Sequence, residues 1–294
     1  MESKNIINSG KKIKKLNIIK SKNKFMGVKS NYILKIIFNN IEKRITLKII
    51  NSNINIQKRL NIDINDYKYF SEKFSSIKLE IIPIHSKYGD FINIEGEDKK
   101  YFHIYFNDKK KEIKKTELNK EDKVSKINII IDNQIKSFKY LFSYCKCIES
   151  IYFKKFIRTN INNMNSMFCW CTSLKELNLS KFNTDSVTDM NKMFFSCSSL
   201  KGLNLSNFNT NSVNNMEGMF FCCSSLKELN LSKFKTNNII NMQGMFNGCS
   251  SLKELNLSNF NNNNVNKMSD IFARCSEELK NKNKLKNKNK CIFI

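Results

Sequence analysis

Cysteine is the residue type in this chain best suited to chemistry, because it can ligate a metal, attack as a thiolate or carry a lipid. Ten cysteines are present, and four of them form a C-x-C…C-x-C set at Cys145, Cys147, Cys169 and Cys171. Structural zinc sites use C-x-x-C-like spacing, and the two members of a C-x-C point to opposite sides of an extended chain. We therefore favour interior packing over zinc and expect no metal and no cofactor.

The sequence lacks the other common catalytic signatures. Only two histidines occur, His85 and His103, and both precede the cysteine-rich part of the chain. There is no glycine-rich phosphate loop, and the acidic residues show no paired spacing suited to acid–base work. We expect a non-enzymatic protein without a small-molecule substrate.

A different cysteine, Cys291, is followed only by Ile292, Phe293 and Ile294. This ending resembles a C-a-a-X box, in which the cysteine is prenylated. A lipid combined with a polybasic run anchors a protein at an anionic membrane surface. The alternative is a codon-biased tail that ends in an unmodified cysteine. The first interpretation predicts a cytoplasmic, membrane-associated chain that uses six tail lysines: Lys280, Lys282, Lys284, Lys286, Lys288 and Lys290.

The positive charge is concentrated at the two ends of the chain. The formal net charge is +25, and residues 1–50 hold 13 basic against 2 acidic residues. Residues 1–27 are predicted to be a basic flexible arm. Lysine supplies 47 of the 51 basic residues, whereas arginine leads at base-reading sites, so we expect a membrane rather than nucleic acid as the anionic partner. The first residues include no apolar segment typical of a secretory signal, so we expect reduced thiols.

The elements that position these residues come from a 26-residue repeat, which appears when the chain is aligned with itself. Its unit is MxxMFxxCSSLKELNLSxFNTxxVxx. In residues 173–180, leucine alternates with polar residues, which predicts a strand. In residues 190–197, apolar residues at i, i+3, i+4 and i+7 predict a short helix. A cysteine column follows the same step: Cys145, Cys171, Cys197, Cys223, Cys249 and Cys275.

One strand and one short helix per coil is the pattern of a leucine-rich-repeat solenoid, an α/β fold in which neighbouring coils bury one another and their strands form a parallel sheet. We expect this solenoid over residues 127–279. A mixed α+β region precedes it, with a helical segment over 28–66 and a β-rich capping region over 67–126. Within that region, Gly96 and the acidic residues after it predict a hairpin turn. The tail is residues 280–294.

The segment CSSLKELNLSxFNT followed by VTDMNKMF resembles the BspA-like leucine-rich repeats, in the 26-residue form common in bacterial lipoproteins and protist repeat proteins. The resemblance covers about residues 129–279. It implies a surface or adhesive binding role, and so a secreted or cell-surface protein stays open as an alternative.

The outward positions of the predicted strands are the most informative place to look for function. They form polar rows, which are either solvated surface or a partner-binding face, since solenoids bind partners on such surfaces. Gly202 interrupts the glutamate row. Our candidate residues for a protein partner are Tyr152, Lys154, Glu176, Asn178, Ser180, Asn204, Ser206, Glu228, Asn230, Ser232, Glu254, Asn256 and Ser258.

Residues 31–60 carry an apolar pattern that resembles an F-box, although no Leu-Pro opening is present. If this resemblance holds, the solenoid would recruit substrates to a ubiquitin ligase. The sequence thus leaves three classes open. They are a membrane-tethered interaction scaffold, which leads, a surface adhesin and a ligase adaptor.

Overall fold

A computed structural model describes residues 28–40, 49–50, 53–61, 74–261, 263–283, 286–287 and 290–291. The chain divides into two compact units, Met1–Ser75 and Ser76–Ile294. The predicted basic arm over residues 1–27 lies outside the described residues.

The first unit contains two described helices, α1 (Asn31–Asn40) and α2 (Ile54–Leu60). The side chain of Asn53 caps α2 by accepting hydrogen bonds from the amides of Asn55 and Ile56. A small apolar core holds the unit together, formed by Leu34, Phe38, Ile49, Ile50, Ile56 and Leu60. The F-box interpretation of this segment stays a prediction.

The second unit begins with an antiparallel sheet. Strand β1 (Ile77–Pro83) pairs with β5 (Ile127–Ile131), which pairs in turn with β3 (Phe102–Phe106). These strands alternate buried apolar and partly exposed residues, as expected for a sheet with one face against a core. Strands β2 (Gly89–Asp90) and β4 (Glu117–Leu118) form a separate short pair.

The hairpin turn predicted at Gly96 is wrong, because Gly96–Tyr101 forms a 3₁₀ helix that leads into β3. The reason lies in the pairing of β3, whose partner is β5, a later strand, rather than the segment just before it. The chain at Gly96 therefore does not connect two paired strands.

Strand β6 (Ile148–Lys155) is where the sheet changes from antiparallel to parallel pairing. It pairs antiparallel with β1 and parallel with β7 (Glu176–Asn178), with Ser150 opposite Glu176. Further along, β8 (Glu228–Asn230) pairs parallel with β9 (Glu254–Asn256). Elsewhere in the unit, parallel bridges at 26-residue steps join 137 to 163, 163 to 189, 189 to 215, 215 to 241 and 241 to 267. Successive 26-residue units therefore lie side by side in register.

The segment predicted as a short helix consists instead of successive β-turns. The amides of Met193 and Cys197 bond three residues back, to Met190 and Phe194, as turns require. The alternating amides point elsewhere: those of Lys192, Phe194 and Ser196 bond to the carbonyls of Glu217, Met219 and Phe221 in the next unit, at 2.7–2.9 Å. A helix would need those amides for its own i→i−4 bonds, so bonding between units excludes it.

The repeated apolar columns form the interior. Phe142, Phe168, Phe194, Phe220, Phe246 and Phe272 stack with ring centroids 5.4–5.7 Å apart. Parallel stacking of this kind adds about 0.5–1.5 kcal/mol per pair to the burial itself. Methionines of the same turns, such as Met190 and Met193, are also fully buried. No unit could bury these rings alone, so each unit depends on its neighbours.

Buried threonines join neighbouring units through their hydroxyls. Thr184 donates to the carbonyl of Asn209 and accepts from the same residue's amide, at 2.9 and 2.8 Å. Thr210 makes the same pair of bonds with Lys235. In the first 26-residue repeat this position is Arg158, which is fully buried and donates to the carbonyl of Asp132 at 3.0 Å and to that of Ile135. The longer arginine side chain thus supplies hydrogen-bond donors to the backbone carbonyls of the irregular loop that precedes the repeats.

The end of the repeats is closed by helix α3 (Glu277–Lys282), whose N-terminus is capped by Ser276. Two of the predicted tail lysines belong to this helix and are paired, Lys280 with Glu277 at 2.6 Å and Lys282 with Glu278 at 2.5 Å. Strands β10 (Lys286–Asn287) and β11 (Lys290–Cys291) follow and pair antiparallel. Cys291 is thus described by its backbone alone, and Lys284 and Lys288 lie outside the described residues.

Candidate interaction surface

The outward side of β7, β8, β9 and the segment between them forms a polar surface that we call the strand face. Two adjoining cavities of about 930 and 680 Å³ lie on it. Gly202 and Asn204 line both of them. Lys282 and Asn283, at the end of α3, also line the larger cavity.

Gly202 is the position at which the strand face departs from the glutamate found in the other units. Its φ lies outside the left-handed region, and a Cβ placed on it would meet no atom within 4 Å. Neither backbone conformation nor crowding therefore requires glycine here, and glycine weakens a strand by about 0.5–1 kcal/mol. Its effect is to remove the side chain that Glu176, Glu228 and Glu254 carry at the same position in the other units. In the described chain, residues 202–204 also lack the strand pairing seen on either side.

The Glu228 and Glu254 side chains are the acidic feature of the larger cavity. The two residues are register partners in the β8–β9 pair, and both are exposed. Neighbouring strands lie ~4.8 Å apart, so the two carboxylates carry adjacent like charges. Lys233 and Lys253 line the same cavity. The arrangement favours a ligand that brings a cationic group between the two carboxylates.

The asparagine row has a structural task that the sequence reading missed. In each unit the asparagine side-chain oxygen accepts the amide of the serine two residues on, as in Ser180 to Asn178 and Ser206 to Asn204, both at 3.0 Å. Ser232 and Ser258 make the same bond at 3.0 Å to Asn230 and Asn256. These Asx turns end each strand. Among the described residues, the Nδ2 groups of Asn204, Asn230 and Asn256 make no hydrogen bond, so they are donors available to a ligand.

Tyr152 and Lys154 lie at the opposite end of the strand face and are already engaged. The Tyr152 hydroxyl donates to the Glu176 carboxylate, and this bond raises the pKa of Tyr152. Lys154 pairs with Glu80 at 3.0 Å, and its Nζ lies 5.1 Å from the centre of the Tyr152 ring. This network fixes the end of the sheet, so Tyr152 is less free as a binding anchor than its residue type suggested.

The C-x-C cysteines do not form a metal site in the described residues, where no group of three His, Cys, Asp or Glu side chains could hold a metal ion. The thiols of Cys145, Cys147 and Cys171 donate to backbone carbonyls instead. Cys147 donates to the carbonyl of Asp90 at 3.2 Å, and Cys171 to that of Phe142 at 2.9 Å. Burial raises the pKa of Cys147 to about 11, and it raises the pKa of Cys171 still further. These thiols are therefore protonated and unreactive at neutral pH.

His103 lies in a histidine–carboxylate cluster that the sequence did not predict. Its Nδ1 is 3.2 Å from Glu112 and its Nε2 is 3.2 Å from Asp132. A lysine, Lys114, also bonds Glu112 and is the main cause of the lowered pKa of that carboxyl. The cluster ties β3 to Asp132, the residue that follows β5. It is best understood as a cross-link of the sheet.

The fold and the surface together define a repeat protein: 26-residue units in parallel register, with a polar strand face and an apolar interior. A family model described as "Mycoplasma protein of unknown function, DUF285" matches residues 136–230 and 201–290. The two matches overlap and span residues 136–290, more than half of the 294-residue chain. The chain belongs to this family. Searches of the curated proteins and of the solved structures find no match. No helix in the described residues has the length and apolar character needed to span a membrane.

Proposed function

We propose that this protein is a non-enzymatic interaction scaffold, a leucine-rich-repeat solenoid of BspA-like type whose strand face binds a protein partner. The observation that carries the proposal is Gly202. The other units carry glutamate at this position, yet glycine stands in the middle of the row and lines both cavities. A surface that gives up strand stability to keep open space beside two cavities is consistent with a ligand site.

The side chains that line the two cavities indicate what kind of partner would bind there. The adjacent carboxylates of Glu228 and Glu254 accept a Lys or Arg side chain, and free Asn Nδ2 groups donate to carbonyl oxygens. The half-buried Leu203 and Leu255 at the floor of the larger cavity add apolar contact. We infer an extended segment of a protein that carries a basic residue opposite Glu228 and Glu254.

Charge reversal tests this proposal. The full chain with Glu228→Lys and Glu254→Lys should lose proteins that the native chain captures from its host lysate, as measured by quantitative mass spectrometry. The matched control is Glu95→Lys with Glu121→Lys, which reverses the same charges on exposed residues outside both cavities. A captured set that changes equally in both variants, or in neither, would contradict a partner site on the strand face.

The proposed tether is prenylation of Cys291, assisted by the lysines around it. Of the six lysines, Lys280 and Lys282 have described side chains, and both pair with glutamates of α3. Intact mass and membrane fractionation of the native chain and of Cys291→Ser test it. The native chain should carry one isoprenoid and sediment with membranes. An unmodified, non-sedimenting native chain would refute the tether and leave the strand-face proposal standing.

A surface adhesin is the second candidate, because the repeats over residues 136–290 resemble those of surface proteins. Protease treatment of intact cells separates the two. Loss of the protein from intact cells would support the adhesin, whereas protection until lysis would support the scaffold.

A further inference from the structure

A row of aromatic side chains lies on the β-turn segments, apart from the strand face. We call it the aromatic edge: Tyr140, Tyr144, Trp170, Phe195 and Phe221. Tyr144 stacks on Trp170 with centroids 5.9 Å apart, Trp170 lies 6.1 Å from Phe195, and Phe195 stacks on Phe221 at 4.5 Å. Tyr144, Tyr140 and Trp170 are 58, 42 and 38% exposed, which makes them the largest exposed aromatic group of the repeats.

The backbone conformation at these positions does not require aromatic residues. Tyr140, Tyr144 and Trp170 have φ of 59°, 61° and 60°, in the left-handed region that costs a bulky residue about 1–2 kcal/mol. Later units place small or flexible residues at the same positions, among them Ser166, Gly218 and Gly244 in one column and Ser196 and Gly248 in the other. The first 26-residue repeats thus carry large, exposed aromatic side chains where the backbone is strained, a combination typical of functional surfaces.

The orientation of the rings limits what can bind. Trp170 stacks on Tyr144 and Phe221 stacks on Phe195, so the ring faces between the members of each pair are covered. Nucleobases and single-stranded nucleic acids need open ring faces for stacking. The polar atoms at the outer edges are available, since the Tyr140 and Tyr144 hydroxyls and the Trp170 indole N–H make no hydrogen bond within the described residues.

The charges beside the rings are positive. The Lys139 Nζ lies 5.0 Å from the centre of the Tyr140 ring, and the Lys146 Nζ lies 5.9 Å from that of Tyr144. Among the described residues neither lysine has a carboxylate partner. Tyrosine and tryptophan side chains that have free polar atoms and lie next to lysine partition into the headgroup region of a bilayer. Each lysine near an anionic leaflet adds about 1 kcal/mol.

We propose that the aromatic edge is a membrane-contact surface that inserts between the headgroups of an anionic bilayer. The proposal goes beyond the scaffold function and depends neither on lipidation of Cys291 nor on the strand face. It assigns the chain a second membrane contact, on the turn segments of its first repeats.

Trp170 makes the proposal directly measurable, because it is the only tryptophan in the chain. The full-length, unlipidated protein is titrated with phosphatidylcholine vesicles that contain or lack phosphatidylserine, while Trp emission and vesicle co-sedimentation are recorded. We expect a blue shift of the emission with the anionic vesicles and none with the neutral ones. Brominated lipids should quench the shifted emission, since the indole would lie at headgroup depth.

The variants copy residues that the chain already uses. Tyr140→Ser with Tyr144→Ser places serine where Ser166 and Ser196 stand in later units. It should lower the vesicle affinity about tenfold, equal to a loss of about 1.4 kcal/mol. Lys139→Gln with Lys146→Gln should weaken binding to anionic vesicles and leave the rings in place. Tyr88→Ser, an exposed tyrosine elsewhere in the unit, is the control and should bind normally.

Three results would overturn the proposal. Co-sedimentation without a change in Trp170 emission would assign membrane binding to the tail alone. A blue shift that survives both the serine and the glutamine variants would show that the aromatic edge is not the contact. An emission change with a single-stranded oligonucleotide, and none with vesicles, would identify a nucleic-acid surface instead.

Discussion

The thiol of Cys223 donates a hydrogen bond to the carbonyl of Phe194, 29 residues earlier, across 3.0 Å. That carbonyl also accepts the amide of Cys197, so the thiol supplies the second bond to a turn of the preceding unit. Cys197, Cys249 and Cys275 make the equivalent bond at 3.0–3.1 Å. The cysteine column is therefore a series of links between units as well as an apolar filler.

Truncating one link should destabilise the protein. Cys223→Ala removes a buried hydrogen bond and leaves a small cavity, so the free energy of unfolding should fall by about 1–3 kcal/mol. The neighbouring Cys222 is partly exposed, and Cys222→Ala is the matched control, with a change within about 0.5 kcal/mol. Urea unfolding measures both. Equal effects of the two variants would mean that the thiol bond contributes nothing.

Burial of the thiols gives the stability a pH dependence. Burial raises the pKa of Cys223 to about 12 and that of Cys147 to about 11, both above the ordinary thiol value of 9.0. The unfolded chain therefore loses these protons first as the pH rises. The contribution of the buried thiols is fully present below about pH 9 and is lost progressively up to about pH 12. Denaturant unfolding of the native chain and of Cys223→Ala over this pH range should show a shallower decline in the variant. Parallel curves would contradict the burial of this thiol.

The threonine bridges are a second kind of link between units. Thr210→Val keeps the volume but leaves the amide and carbonyl of Lys235 without their partner, which should cost about 1–3 kcal/mol. Thr210→Ser should retain most of the stability because it keeps the hydroxyl. Thr188→Val, at an exposed threonine with a longer 3.3 Å bond, is the control. Thermal unfolding that ranks valine and serine variants equally would refute the bridge.

The internal repeat carried much of the information about the interior. Because Phe194, Met190 and Leu200 recur every 26 residues, their burial could be predicted from the spacing alone, and these residues are buried. The spacing could not distinguish a helix from successive β-turns, since both bring residues i, i+3 and i+4 to one side. The choice depends on hydrogen bonds between units, such as that from Phe194 to Met219, which are non-local.

The surface was harder to predict than the interior. The serine amides donate to the side-chain oxygens of Asn178 and its equivalents. The asparagine row, predicted as a binding face, therefore also forms the turns that end the strands. The aromatic edge was not predicted from the sequence, because its geometry depends on left-handed backbone at Tyr144 and Trp170. A signal was present nonetheless: Gly218, Gly244 and Gly248 fall at equivalent positions of later units, and glycine marks such backbone.

Gly202 offers the most direct test of the central claim, that the strand face binds a protein partner through an open groove. In the full chain, Gly202→Glu restores the glutamate of the other units and fills the junction of the two cavities, whereas Gly202→Ala adds only a Cβ in open space. Neither variant should lower the free energy of unfolding, because both replace glycine in an extended segment. The measurement is the amount of each partner captured from the host lysate. The account predicts that Gly202→Glu loses proteins that both the native chain and Gly202→Ala retain. Equal capture by all three chains would contradict it.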